Sequence, residues 1–492
     1  DIGTAGRASV SEEIARAESA DQRSAFGAEP IALRGEGGHR ALPFFPLQGE
    51  REGLFSWATG ARVALAQRGQ GAGAGWGIAE VATGERVVVQ TSDQKVVAVV
   101  AVVAATTAAQ VAGAMGAAVF PVIAPELARN LGVESSLIGY QISLVSLGMV
   151  VTLTLLGSTT RRYGAARTNQ LGHALTATGM LVLLIPYSVF LIIGSLVIGL
   201  GYGMITPSAS HLLMRYTPPQ RRSTVFSIHQ TGIPAGGMLA ALIAPAVTIY
   251  AGWRWAVVLS ALLLFAVVLL MQSGRRSWDD DRDRNAPVVT PNPLAGAFAI
   301  WQQRELRLIT IAGSCFSWVQ FCAAAFAVVA CVETLGMSLV VAGTVLTVVQ
   351  MASAVGRVLI GWITDRVGDT ARVLAWNAGI LTVFTLGGLA IHDGTPLLVV
   401  YLLFAVLGAT SGCWPGAILA EVGRLAPQGQ VSLAISGSLV ITNVGKFIGP
   451  IIFANVYALT RSYGIAFVSL VVPAAVALYC LVAARRGKSN PA

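Results

Sequence analysis

The chain of 492 residues is 54% hydrophobic and only 12% charged, with a mean hydropathy of +0.68. Soluble domains carry about 25% charged residues, so this composition excludes an ordinary soluble protein. The formal net charge of +9 does not indicate a nucleic-acid partner, because the arginines of the apolar portion lie mostly in short loops between apolar runs.

Residues 1–94 differ from the rest of the chain. They are rich in Gly, Ala, Arg and Glu and show no sustained period, and the first methionine is Met115, inside the first apolar run. The glycine-rich run 69–77 lacks the flanking strand and helix patterns of a phosphate-binding loop, so we interpret it as low-complexity sequence. We expect a largely disordered or artefactual N-terminal extension over 1–94, with the native start near residue 88.

Apolar runs of roughly 20 residues, each long enough to cross a bilayer, follow one another from residue 96 to residue 484. Lipid offers the backbone no hydrogen-bond partner, so these runs must be helices. We predict an all-α polytopic membrane protein with twelve transmembrane helices. Their predicted bounds are 96–122, 135–157, 168–186, 189–213, 224–250, 254–272, 307–332, 338–361, 371–391, 395–420, 431–458 and 464–484.

A repeat divides these helices into two sets. Gly139 and Gly343, and likewise Gly157 and Gly361, are each 204 positions apart and hold the same place in successive apolar runs. Parallel repeats related by an axis along the membrane normal are a known plan of transporters. We therefore predict two pseudo-symmetric six-helix bundles over 95–272 and 306–486, joined by a cytoplasmic central loop over 273–305 and followed by a tail over 487–492.

The arginines predict the orientation, because loops rich in Lys and Arg stay in the cytoplasm. The short loops of the opposite face carry only Arg129, Arg254 and Arg461. The arginine-rich face, where we expect both termini, carries Arg161, Arg162, Arg167, Arg215, Arg221, Arg222, Arg366, Arg372 and Arg424.

Two polar loops carry a family resemblance. The loop after the eighth span contains Gly361, Asp365, Arg366, Gly368 and Arg372, and the loop after the second span contains Gly157, Arg161, Arg162 and Gly164. With twelve spans and a long central loop, residues 95–486 resemble the major facilitator superfamily, although Arg161 stands where that family has Asp. The segment 227–237, followed by Gly252–Trp255, resembles a bacterial branch loosely grouped with cyanate-type permeases, which usually have Lys where this chain has His229.

The resemblance implies a secondary transporter that works by alternating access in the bacterial inner membrane, and we expect a monomer without cofactor or metal. The glycines of the two loops let helices approach closely, and Asp365 is suited to cap a helix or pair with an arginine. We therefore interpret both loops as gates. The alternative is that their arginines only fix the topology.

Lys446 is the candidate anchor of a solute. It lies 15 residues after the predicted start of the eleventh span, with Asn443 one turn earlier, and no Asp or Glu lies in the middle of any predicted span. An ionisable group at this depth is expensive and indicates function. A lone central cation favours a small organic or inorganic anion as the solute. The alternative is a lysine whose long stem reaches the membrane surface.

In the family, spans one, four, seven and ten line the cavity, which implies that Gln110, Tyr202, Trp318 and Trp414 lie along it. Gln320 and Gln350 add amide donors, and His229 is a candidate proton carrier because its unperturbed pKa lies near ~6.5. Ordinary packing, or interhelical hydrogen bonding, is the alternative role for each of these residues.

Two other functions remain open. The first is efflux of neutral or amphipathic drugs, and the second is a transporter-like sensor that binds a solute without moving it. An enzyme is not expected, because the sequence has no Ser-His-Asp constellation and no nucleotide-binding loop. The five cysteines all lie in apolar runs, without metal-ligand or redox spacing, and are expected to be small core residues: Cys315, Cys322, Cys331, Cys413 and Cys480.

Overall fold

A computed structural model describes residues 92–489 except 219–220 and 428–429, together with four short strands earlier in the chain. The strands are β1 (Phe55–Ser56), β2 (Arg62–Leu65), β3 (Gly77–Glu80) and β4 (Arg86–Val89), and they form an antiparallel sheet in the order β1-β2-β3-β4. The chain divides into two compact units, 1–98 and 99–492. The rest of the predicted disordered extension lies outside the described residues, and the predicted boundary at 94 stays a prediction.

The described chain from residue 92 onward is helical, as the composition predicts. Its first half consists of α1 (Ser92–Leu131), α2 (Ile138–Leu155), α3 (Thr159–Tyr163), α4 (Ala165–Val182), α5 (Ser188–Tyr216), α6 (Arg222–Gln230), α7 (Gly232–Ala251) and α8 (Trp253–Gln272). Two short helices, α9 (Arg275–Trp278) and α10 (Ala295–Gln302), lie in the central loop. The second half consists of α11 (Arg304–Glu333), α12 (Leu339–Val367), α13 (Thr370–Thr385), α14 (Leu397–Gly412), α15 (Trp414–Leu425), α16 (Val431–Thr460), α17 (Tyr463–Ser469) and α18 (Val471–Ser489).

Within the described residues, eleven helical stretches are long and apolar enough to cross a membrane. The predicted third span corresponds to α4, which is not among them because it carries several polar side chains. These side chains have partners: Asn169 Nδ2 donates to the carbonyl oxygen of Ile205 at 3.0 Å, and His173 Nε2 lies 2.9 Å from the carbonyl oxygen of Ala109. The helix is therefore built into the bundle through hydrogen bonds as well as apolar contacts.

Three predicted spans are each interrupted once. Thr231 separates α6 from α7, Cys413 separates α14 from α15, and Leu470 separates α17 from α18. Pro234 and Pro415 follow the first two breaks and have no N–H to donate to the preceding turn, so neither helix continues with a full set of hydrogen bonds.

The predicted repeat is visible in how the halves meet. α2 packs against α16, and α12, its repeat partner, packs against α7. Gly139 lies against the backbone carbonyl of Pro450, and Gly343 lies against that of Ala241, so a Cβ at either glycine would clash with the other half. The duplicated glycine thus makes the same close contact twice, which confirms two pseudo-symmetric halves.

Candidate functional site

A cavity of about 100 Å³ lies between the two halves. Helices α1, α2, α5 and α7 of the first half and α11, α12 and α16 of the second half all contribute to its wall. Three of the predicted site residues line it, namely Lys446, Tyr202 and Gln350, and the remaining wall is mostly apolar. A few polar groups in an apolar cleft between bundles are typical of a small-molecule site.

Lys446 is 6% exposed, so it does not extend its stem to the membrane surface. Its Nζ lies 4.0 Å from the centroid of the Phe321 ring, 5.7 Å from that of Tyr202 and 3.2 Å from the sulfur of Met149. Across the described part of the chain, no carboxylate comes within 4.0 Å of this ammonium group. Aromatic faces attract a cation, but they do not neutralise it.

Two side-chain amides face the same cavity. Gln350 packs directly against Gly237 of the first half, where any side chain would collide with its amide. Gln141 of α2 also lines the cavity, and its buried Oε1 has no hydrogen-bond partner among the described residues. A buried amide oxygen without a partner is rare in proteins and marks a place where a ligand or water bonds.

Sequence reasoning missed Gln141, Phe321 and Met149. Gln141 carries a detectable signal, since it is a polar side chain inside the predicted second span. Phe321 and Met149 carry none, because an aromatic ring or a thioether in an apolar run is indistinguishable from lipid-facing or core residues.

Five predicted site residues do not line the cavity. Gln110 is buried beside it and accepts a hydrogen bond from Thr206 Oγ1 at 3.2 Å. Trp414 Nε1 donates to Gln320 Oε1 at 2.9 Å, which couples two predicted residues to each other. Trp318 packs against Gly449, and Asn443 Nδ2 donates to the carbonyl oxygen of Leu439 in its own helix at 2.8 Å. These five side chains therefore lie on helix faces that do not form the cavity wall.

His229 occupies the last turn of α6, next to the helix break, and is fully buried. Neither ring nitrogen has a hydrogen-bond partner within the described residues. Burial at the break removes the ring from water. Its proposed part in proton coupling stays a prediction.

The first polar loop is bound by the central loop. Asp279 accepts hydrogen bonds from the backbone N–H of Ala166 (2.7 Å) and of Arg167 (3.0 Å), so it caps the first turn of α4. Gly164 has φ +95° and lies so close to the Asp279 carboxylate that no side chain would fit. Burial raises the pKa of Asp279, although these two N–H groups act in the opposite direction.

Other loop residues are held in the same way. Arg162 Nη1 donates to the carbonyl oxygen of Ala286 at 2.7 Å, the carbonyl oxygen of Arg161 accepts from Asp283 N at 2.8 Å, and Gly157 lies beside Thr290. Asp279 of the central loop thus caps the helix that follows the first polar loop.

The second polar loop uses a different acid from the predicted one. Gly368 ends α12 in the left-handed conformation (φ +69°), which confirms the tight turn there, and Gly361 faces open space. Asp369 accepts from Arg372 N and from Arg485 Nε, each at 3.0 Å. Asp365 is exposed and has no ion pair in the described structure. Arg366 lies 4.0 Å from the centroid of the Trp362 ring.

An ion pair on the opposite face joins the two halves. Arg461, which follows α16 with φ +53°, pairs with Glu134 in the connection between α1 and α2. Hydrogen bonding to Arg461 lowers the pKa of Glu134. The sequence placed Arg461 on this face but did not indicate its partner, which lies in the other half.

Known proteins share this architecture. A bacterial homolog of the human lysosomal transporter Spinster, solved in an inward-facing and unoccupied conformation, superposes with a TM-score of 0.64 over 81% of this chain and 98% of its own, at 14% identity. An uncharacterised MFS-type transporter of Mycobacterium tuberculosis is 27% identical over 51% of this chain, an alignment that spans only 55% of that relative. The 4-hydroxybenzoate transporter PcaK of Pseudomonas aeruginosa is 26% identical over 72% of this chain and 85% of its own length.

The narrower resemblance to cyanate-type permeases stays a prediction. The sequence profile of the Major Facilitator Superfamily matches residues 106–450 and 309–492, which together cover most of the chain. The match includes both halves and the central loop between them. The chain is a multi-pass membrane protein, and it belongs to the major facilitator superfamily.

Proposed function

We propose that this protein is a secondary transporter that carries a small aromatic carboxylate, or a closely related organic anion, across the bacterial inner membrane by alternating access. The observation that carries the proposal is Lys446, a buried ammonium group at mid-span, in a cavity between the halves, with no carboxylate beside it. An uncompensated charge in the membrane interior is costly, and a bound anion compensates it.

The chemistry of the wall favours an aromatic anion. Tyr202 and Phe321 present rings next to the ammonium group, and Gln141 and Gln350 provide amide groups for a phenol or carboxylate oxygen. The relative from Pseudomonas aeruginosa is named for 4-hydroxybenzoate, which has both a ring and a carboxylate. The cavity of about 100 Å³ is smaller than the roughly 150 Å³ that holds benzene in an engineered protein, so it must widen when such a solute binds.

The contacts between halves support a rocking motion. In both α2–α16 and α7–α12, a glycine brings the backbones of the two halves into close contact. The loops 157–167 and 361–372 lie at one face and act as gates there, whereas the pair of Glu134 and Arg461 closes the other face. The arginine-rich face and both termini are cytoplasmic in this proposal.

Uptake of labelled 4-hydroxybenzoate into proteoliposomes tests the role of Lys446. Lys446→Ala removes a charge-assisted contact worth about 1.5–3 kcal/mol, so we expect uptake to fall by about tenfold or more. Lys446→Arg should retain part of the activity. Asn455→Ala is the matched control: it changes an exposed residue of the same helix, whose amide bonds to Ile451 in its own helix, and should leave uptake unchanged.

Full uptake by Lys446→Ala would refute the anion site. Saturable binding by the wild-type protein without counterflow would instead favour the sensor, and export of neutral or amphipathic drugs without uptake of the acid would favour efflux.

A further inference from the structure

A second cation, Arg357, is half-buried on the central-loop side of the cavity. Arg357 is seven residues after Gln350 on α12 and therefore on the same helix face, about 10 Å closer to the central loop. Its Nε donates to the carbonyl oxygen of Gly412 at 3.0 Å, and its Nη1 donates to the carbonyl oxygen of Gln230 at 3.2 Å. Gly412 belongs to the second half and Gln230 to the first. The guanidinium group of Arg357 therefore bridges the halves.

Both partners of Arg357 are uncharged carbonyls at helix breaks. Gln230 ends α6, and the residue that would donate to its carbonyl in a continuous helix is Pro234, which has no N–H. Gly412 ends α14. No carboxylate of the described residues lies within 4.0 Å of the guanidinium group. Among the described residues, carbonyl dipoles thus hold the charge and occupy two of its five donors.

Polar side-chain atoms without a hydrogen-bond partner lie close in sequence to Arg357 on α12 and to Gln230 on α6. His229 precedes Gln230, is fully buried, and has no hydrogen-bond partner for either ring nitrogen within the described chain. The side-chain oxygen of Gln230 and the hydroxyl of Ser353, one turn before Arg357, are also buried without partners. Buried polar groups are normally satisfied, so this concentration at one level indicates a ligand that bonds there.

We propose that Arg357 forms a second anion site, on the central-loop side of the first, where the carboxylate of the solute replaces the Gln230 and Gly412 carbonyls as the partner of the guanidinium group. A guanidinium binds a carboxylate through two parallel hydrogen bonds, which are stronger than its bonds to neutral carbonyls. The exchange breaks the Arg357–Gln230 bond between the halves, so arrival of the solute favours opening at this face. His229 and Ser353 supply further hydrogen bonds to the solute.

This inference rests on the proposed function, and one set of measurements separates the two. Equilibrium binding and counterflow of labelled 4-hydroxybenzoate are compared for the wild type, Arg357→Gln, Arg357→Lys, Lys446→Ala and the control Arg276→Gln. Arg276 is an exposed central-loop arginine at the same end of the bundle, so its replacement removes one positive charge there without touching the interior.

We expect Arg357→Gln to keep the dissociation constant within threefold of the wild type, since Lys446 is intact, while counterflow falls at least tenfold. Arg357→Lys keeps the charge but lacks the planar pair of donors, so its counterflow should fall at least threefold with unchanged binding. If Arg357→Gln does not fold, the counterflow of Arg357→Lys tests the second site in its place.

Counterflow by both Arg357 variants within twofold of the wild type would overturn the second site. A tenfold loss of binding in Arg357→Gln, equal to that of Lys446→Ala, would also overturn it by placing both cations in one site. The proposed function fails differently: the wild type then binds no probe, or Lys446→Ala binds it normally.

Discussion

Replacing Asp279 tests which contact holds the central loop against the first half. Its carboxylate is 4% exposed and accepts from two backbone N–H groups of α4, those of Ala166 and Arg167. Replacing a capping Asp by Ala costs about 0.5–2 kcal/mol, and a buried cap belongs at the upper end, about 2 kcal/mol. Because each 1.4 kcal/mol is a factor of ten, Asp279→Ala should raise the population of the detached loop about 30-fold.

Limited trypsin digestion measures this population. Arg282 and Arg284 follow Asp279 in the central loop, and cleavage tracks the open form when opening and closing are fast compared with cutting. We expect the initial rate of cleavage after these arginines to rise about 30-fold in Asp279→Ala. Asp283→Ala is the matched control, since in the described structure the Asp283 carboxylate accepts only a local, exposed hydrogen bond from the backbone N–H of Asn285. We therefore expect its cleavage rate to change only about twofold. A rate for Asp279→Ala within twofold of the wild type would refute the capping role.

Two further predictions concern the contacts between the halves. Gly139→Ala and Gly343→Ala each place a methyl group against the backbone of the other half, so each should lower the thermal midpoint and cost about 1–3 kcal/mol of stability. Gly379→Ala is the control and should leave the midpoint unchanged, because its methyl group meets nothing within 4 Å. An equal fall in the midpoint of Gly379→Ala would contradict the packing argument. The pKa of Glu134 is lowered by Arg461, so their pair is intact above the ordinary carboxyl pKa and is lost as pH falls through the lowered one. Spin labels at the outer ends of the halves should therefore separate on acidification, and Glu134→Gln should abolish this pH dependence; its persistence would assign the effect to another group.

The particular residues show where prediction from sequence succeeds. Gly139 and Gly343 were paired by their spacing alone, and in the structure they make equivalent contacts between the halves. Lys446 was singled out by its depth, and it does line the cavity. Both successes depend on position along a helix, which the sequence states directly.

The failures share one cause. Gln110, Trp318 and Asn443 were predicted as site residues but do not line the cavity, whereas Gln141 and Phe321 do. A helix turns by about 100° per residue, so its rotation about its own axis decides which side chains meet. That rotation is set by packing against neighbouring helices.

The amino-acid sequence is sufficient to predict a membrane-embedded helical bundle made of two like halves, because long apolar runs leave the backbone no other way to satisfy its hydrogen bonds in lipid. The three-dimensional structure was needed to show that Asp279 caps a helix more than 110 positions earlier, and that Arg357 joins helix breaks of opposite halves. Contacts of this kind depend on where separate helices end in space, and no local pattern of residues encodes that.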